Sequence, residues 1–139
     1  GESTINISKN SVSSSILKDL PQLTESAPEA TFIKKETIKI KKLDTIFEDL
    51  KIKGKNIYLK IDTQGYEKMV LDGAVESLKN ITGIQIEMAL IPSYEGSLTF
   101  EEMSANLKNL GFKLTTIESG HYNKKTGKLL EVDGVFFKN

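Results

Sequence analysis

The pattern of hydrophobic and polar residues changes its period at Asp62. Before this residue, apolar and polar side chains alternate as in a β-strand, and after it apolar residues recur every four positions, as on one face of a helix. The alternating apolar residues are Ile57, Leu59 and Ile61, and the helical ones are Tyr66, Val70, Ala74 and Leu78. Because open α/β sheets bind ligands at the carboxyl ends of their strands, the pattern predicts a functional group at Asp62.

The same reading predicts the other elements of the chain. Strands are expected over 2–7, 38–41, 84–89, 112–117 and 129–137, and helices over 16–20, 43–50 and 100–110. The polar stretch 21–31 holds two of the three prolines and has no clear period, which predicts an exposed loop. At the helix over 100–110, Thr99 and Glu102 form a capping box, and Gly111 provides the left-handed residue at its end.

The order of these elements predicts an α/β fold. Alternating strands and helices imply right-handed parallel crossovers, and the polar loop 121–128 implies a closing antiparallel hairpin. We therefore expect a sheet of mostly parallel strands with one closing hairpin. The 139 residues fit a single domain.

Composition argues against several classes of function. The 19 basic and 19 acidic residues cancel, so no global charge favours nucleic acid or an anionic membrane as a partner. The chain has no cysteine, which excludes disulfides and thiolate chemistry and is typical of a cytoplasmic protein. No apolar run approaches the roughly 18 residues of a membrane span.

The segment around Asp62 resembles the FkbM family of S-adenosylmethionine-dependent methyltransferases. That family carries the pattern K-I-D-x-x-G-Y-E-x-x-V-L-x-G-A, which here begins at Lys60 and ends at Ala74. The segments 10–17, 40–50 and 83–90 are similar to family segments in the same order.

This resemblance implies part of a class I methyltransferase (Rossmann-like) sheet and methyl transfer from S-adenosylmethionine to a hydroxyl of a small molecule or glycan. In such enzymes a Gly-rich loop, in the preceding half of the domain, holds the cofactor. The ten glycines here include no G-x-G pair, and Gly1 opens the chain within what resembles a family strand. We therefore expect 1–139 to be the C-terminal portion of an FkbM-like domain, without its N-terminal cofactor-binding half and inactive alone.

Two carboxylates are candidates for catalysis. Methyl transfer requires alignment of donor and acceptor and removal of the acceptor's proton, and Asp62 and Glu87 each lie near the carboxyl end of a predicted strand. The resemblance implies that Asp62 binds cofactor or acceptor, while a helix-capping role is its structural alternative. For Glu87 the catalytic and structural roles stay open. Family members often have a histidine where this chain has Ala89, so a His-based mechanism is not expected.

The resemblance also implies cofactor contacts near Asp62. The residues concerned are Gly65, Tyr66, Glu67, Ser14 and Ser15. Each has a structural alternative: Gly65 permits the backbone turn, Glu67 complements the helix dipole, and serines are common in turns.

Two further interpretations concern rival functions, and one concerns Lys60. A non-catalytic α/β module would bind a partner through an open sheet edge, which also predicts a homodimer. Metal-assisted hydrolysis by Asp62 and Glu87 lacks further ligands, and the single histidine, His121, is expected to be a solvated surface residue, so no metal site is predicted. Lys60, inside a strand, is expected to form an ion pair rather than to act in catalysis.

Overall fold

The computed structural model describes residues 1–138, which form two sheets and four α-helices. The strands are β1 (Glu2–Ser8), β2 (Phe32–Lys39), β3 (Ile57–Ile61), β4 (Ile81–Ala89), β5 (Phe112–Ser119) and β6 (Glu131–Lys138). The helices are α1 (Pro21–Ser26), α2 (Leu43–Ile46), α3 (Glu67–Asp72) and α4 (Phe100–Asn109). Short 3-10 helices cover Pro28–Ala30, Glu48–Leu50 and Ser77–Asn80.

The larger sheet is mixed and has the strand order β3-β4-β6-β5. β3 and β4 pair in parallel, whereas β6 pairs antiparallel with both β4 and β5. The α/β class is confirmed, but the expectation of a mostly parallel sheet was wrong. β6 runs opposite to both of its neighbours and lies inside the sheet. Two of the three strand pairings are therefore antiparallel.

The main hydrophobic core joins this sheet to α3 and α4. Ile84 and Ile86 of β4 and Leu107 of α4 are fully buried, and Leu71 of α3 is 1% exposed. Burying a side chain of this size contributes roughly 1.5–3 kcal/mol. The core therefore fixes the relative position of β3 and β4, at whose carboxyl ends Asp62 and Glu87 lie.

The segment 21–31 is not the exposed loop that its polarity predicted. It forms α1 and a 3-10 turn, and Leu23, Ala27 and Ala30 are buried against Tyr94 in a second, smaller core. These three residues have the i, i+4, i+7 spacing of one helical face, although alanine makes the pattern weak. The helix predicted over 16–20 was also wrong, because the helix begins at Pro21, where proline suits the first turn.

The smaller sheet is an antiparallel pair of β1 and β2. A serine-rich loop follows β1, and the side-chain amide of Asn6 donates to the carbonyl oxygens of Ser15 and Leu17 at 3.1 Å each. These bonds fold the loop back beside β1.

Two predicted helices are shorter than expected. The helix predicted over 43–50 is only the four residues of α2, followed by a 3-10 turn, and α3 ends at Asp72 before Gly73. After that end, the carboxylate of Asp44 accepts hydrogen bonds from the backbone and hydroxyl of Ser77 at 2.7 and 2.6 Å. The Asp44 side chain thus stabilises the 3-10 helix Ser77–Asn80. The helical spacing of apolar residues continues to Leu78, although the α-helix itself ends at Asp72.

The prediction for α4 is confirmed. Thr99 and Glu102 form both bonds of the capping box, and Gly111 has a φ of +88° just past the helix end. Within residues 1–138, no helix is long and apolar enough to cross a membrane.

Candidate active site at the carboxyl ends of β3 and β4

The chain turns sharply between β3 and α3. Gln64 and Gly65 both have positive φ, at 53° and 93°. The Glu67 carboxylate spans the turn, because one of its oxygens accepts from the backbone N–H groups of Thr63 at 2.9 Å and Gly65 at 3.2 Å. Burial raises the pKa of Glu67, and these hydrogen bonds oppose that rise. Glu67 thus has the structural role of fixing the turn, and its cofactor contact stays a prediction.

A residue that sequence reasoning missed connects the two candidate carboxylates. The side-chain nitrogen of Gln64 donates to Asp62 Oδ1 at 2.9 Å and to Glu87 Oε2 at 3.1 Å. The prediction placed Asp62 and Glu87 on the same rim, and the structure brings both within reach of one amide. Gln64 occupies an unspecified position of the family pattern, which is why it gave no signal.

Tyr94 completes this group from the loop after β4. Its hydroxyl lies 2.7 Å from Gln64 Oε1 and 3.0 Å from the carbonyl oxygen of Ser13. Burial and the nearby carboxylates raise the pKa of the Tyr94 phenol, so the group stays a proton donor. The only sequence signal for Tyr94 was an aromatic residue shortly after the end of a predicted strand.

Gly65 is required by the packing of Tyr94. A Cβ atom at Gly65 would lie 2.8 Å from Tyr94 Cβ, closer than side-chain carbons approach. The positive φ of Gly65 also favours glycine. Both observations give Gly65 a structural role, and its cofactor contact stays a prediction.

The two candidate serines differ in what they contact. The Ser15 hydroxyl is buried and donates to the backbone carbonyl of Gln64 at 2.6 Å. The Ser14 hydroxyl instead accepts from the Ser8 N–H at 3.0 Å and donates to the Ser11 carbonyl at 2.6 Å, within its own loop. Ser15 therefore supports the site turn directly, whereas Ser14 shapes the loop.

The environment of Glu87 is strongly acidic. A small cavity of about 20 Å³ is lined by Glu67, Glu87 and Glu131 together with Ser93 and Tyr94, and no basic side chain among residues 1–138 lines it. Burial raises the pKa of the Glu87 carboxyl to about 10, and the charges of neighbouring carboxylates, that of Glu131 first, act in the same direction. Glu87 therefore carries a proton at neutral pH.

Other candidate residues lie outside this group. Tyr66 lines a separate cleft with Ile40 and Ile46. Lys60 forms the expected ion pair, with Asp133 at 3.7 Å. His121 is partly buried, and its Nε2 lies 3.0 Å from the Ser26 hydroxyl. Among residues 1–138, no group of three or more His, Cys, Asp or Glu side chains is arranged to hold a metal ion.

The fold and the acidic rim define an α/β domain with its candidate site at the carboxyl ends of a parallel strand pair. The family model described as the methyltransferase FkbM domain matches residues 2–114. The chain therefore belongs to the FkbM methyltransferase domain family, as the resemblance at 60–74 predicted. No curated protein and no solved structure gives a significant match to this chain.

Proposed function

We propose that this chain is part of an S-adenosylmethionine-dependent methyltransferase that methylates a hydroxyl of a small molecule or glycan. The observation that carries the proposal is the link from Asp62 through the Gln64 amide to Glu87, in a chain of a methyltransferase family. The larger sheet is proposed to be part of a class I, Rossmann-like domain. On the absence of cysteine we propose the cytoplasm as its compartment.

The two carboxyl groups have different roles in this proposal. Glu87 is protonated at neutral pH, so it cannot accept the proton of an acceptor hydroxyl, and it positions Gln64 or donates a hydrogen bond instead. Asp62 is exposed at the end of β3, where an acceptor can reach it. We assign to Asp62 the orientation of the acceptor hydroxyl and the removal of its proton. We also propose that Asp62 contributes a contact to the cofactor.

The residues of the rim fit one side of a cofactor site. S-adenosylmethionine, when bound, supplies a methyl group on a positively charged sulfur, and carboxylate and amide groups suit that charge and the ribose hydroxyls. The small cavity at the rim, about 20 Å³, has room for little more than one water-sized molecule, however. We therefore propose that chain beyond residues 1–139 supplies the rest of the cofactor site.

Radiolabelled methyl transfer tests this function. The full-length protein is incubated with methyl-labelled S-adenosylmethionine and small-molecule or glycan fractions from its own cells, and labelled products are separated. Labelled product from the wild type, its loss in Asp62→Asn, and its retention in Asp72→Asn are expected. Asp72 makes a suitable control because it is an exposed aspartate that pairs with Lys68 at the far end of α3. No labelled product from any fraction would count against the proposal.

One observation favours a second candidate, a non-catalytic interaction module. Among residues 1–138, β3 pairs only with β4, so its other edge is open to a further strand. A homodimer through this edge is the corresponding proposal. Sedimentation of the chain tests this homodimer, and a monomer over the micromolar range would rule it out.

A further inference from the structure

A second cleft lies at the opposite end of the parallel strand pair, where β3 and β4 begin. Its volume is about 570 Å³, within the range of small-molecule sites. Ile57 and Ile81, the first residues of the two strands, line it together with Phe47 and Ile52. Part of the cleft wall is thus apolar.

The charge of this cleft is opposite to that of the rim. Among residues 1–138, four lysines line it, Lys51, Lys55, Lys79 and Lys138, but only one carboxylate, that of Glu48. Lys79 pairs with Glu76, whereas no carboxylate among residues 1–138 lies within 4.0 Å of the Lys51 or Lys55 ammonium. In a chain with 19 basic and 19 acidic residues, this is a local concentration of positive charge.

The loop that carries Lys51 and Lys55 is joined to β4. Lys51 has a φ of 48° and Gly54 a φ of 144°, so the loop 51–56 reverses direction beside the start of β4. The Thr82 hydroxyl donates to the carbonyl oxygen of Lys55 at 3.3 Å and joins that loop to β4. Lys138, at the end of β6, also lines the cleft, and its ammonium donates to the carbonyl oxygen of Leu78 and lies 5.3 Å from the centroid of the Phe112 ring. The four lysines that line the cleft therefore come from three parts of the chain, which are the loop 51–56, the 3-10 helix Ser77–Asn80 and the end of β6.

We infer that this cleft binds a soluble small molecule that carries a phosphate group on an apolar or ring-shaped body. Lysine ammonium groups bind phosphate as point charges, and the isoleucine and phenylalanine side chains provide the contact for the ring. The site is distinct from the proposed methyl-transfer rim, because the two lie at opposite ends of β3 and β4.

Calorimetric titration of phenyl phosphate into the chain tests the inference, with inorganic phosphate as a second probe. The comparison uses Lys51→Gln/Lys55→Gln and, as the matched control, Lys124→Gln/Lys125→Gln in the loop between β5 and β6. We expect saturable binding of phenyl phosphate, tighter than that of inorganic phosphate. The cleft variant should bind at least about fivefold more weakly, with the control unchanged. Circular dichroism of each variant verifies that these exposed substitutions leave the fold intact.

Four outcomes would overturn the inference. Absence of saturable binding at low salt would remove the site, and equal losses in the cleft and control variants would reduce it to general surface charge. Binding to vesicles that contain anionic lipid, without binding of either soluble probe, would assign the positive charge to a membrane surface instead. Equal affinity for phenyl phosphate and inorganic phosphate would show that the cleft does not recognise a ring, which would overturn the inferred ligand class.

Discussion

The Ser15 hydroxyl donates a 2.6 Å hydrogen bond to the backbone carbonyl of Gln64, joining two residues that are 49 positions apart. This bond links the serine-rich loop to the turn that carries the site. Gln64 has a left-handed backbone, at a φ of 53°, which is uncommon for a residue with a side chain. The loop therefore helps to hold the conformation in which the Gln64 amide meets both carboxylates.

The first prediction follows from this bond. Ser15→Ala removes the donor to a part-buried carbonyl, so the free energy of unfolding in urea should fall by about 1–2 kcal/mol. Ser119→Ala, at the exposed end of β5, is the control and should change it by less than about 0.5 kcal/mol. Equal effects of the two substitutions would show that the Ser15 bond does not stabilise the turn.

A comparison of Gly65→Ala with Gly96→Ala separates the destabilisation caused by backbone strain from that caused by close packing. Gly65→Ala adds a Cβ atom 2.8 Å from Tyr94 Cβ at a φ of +93°, whereas Gly96→Ala, at a φ of +79°, meets no atom within 4 Å. Both variants bear the backbone cost of about 1 kcal/mol, but Gly65→Ala should lose at least about 1 kcal/mol more in unfolding experiments. A Gly65→Ala variant as stable as Gly96→Ala would refute the close packing of Tyr94 on this turn.

Glu87 predicts a specific dependence of stability on pH. The pKa of the Glu87 carboxyl is about 10 in the folded chain, whereas its ordinary value is 4.5. Between pH 4.5 and pH 10, the folded state therefore binds the proton and the unfolded state does not. The contribution of Glu87 to stability is therefore most favourable below about pH 4.5 and falls as pH rises, by at most about 1.4 kcal/mol per pH unit.

Glu87→Gln isolates this contribution, because glutamine stays neutral at every pH. The variant should gain stability relative to the wild type from pH 5 to pH 9 in urea unfolding experiments, and the difference should be small near pH 4. A difference that does not change with pH would mean that Glu87 titrates normally in the folded chain.

The two carboxyl groups should also differ in methyl transfer by the full-length protein. Asp62→Asn removes the proposed base and should abolish most of the activity, whereas Glu87→Gln replaces a protonated acid by a neutral group of similar shape and should do less harm. The measurement is the kcat/KM of each variant, divided by the kcat/KM of the wild-type protein. If Glu87→Gln were inactive and Asp62→Asn active, the roles would have to be exchanged.

The sequence predicted those features that depend on local periodicity or capping. α4 was predicted within one residue because Thr99, Glu102 and Gly111 mark its ends, and the strand that ends at Asp62 was predicted because apolar and polar residues alternate along it. The buried position of the segment 21–31 was missed because two of its three buried apolar residues, Ala27 and Ala30, are alanines. Gln64 and Tyr94 were missed because their roles depend on contacts between residues 30 positions apart, which no short pattern contains. The mixed sheet was mispredicted because periodicity does not indicate where in a sheet the last strand inserts.

Calorimetric titration of S-adenosylhomocysteine into the full-length protein tests the central claim most directly, because this product needs no acceptor. We predict saturable one-to-one binding by the wild type and Asp72→Asn, and affinity lower by about tenfold or more for Asp62→Asn. No binding by the wild-type protein would contradict the dependence on S-adenosylmethionine, and unchanged affinity of Asp62→Asn would contradict the assignment of Asp62 to the cofactor site.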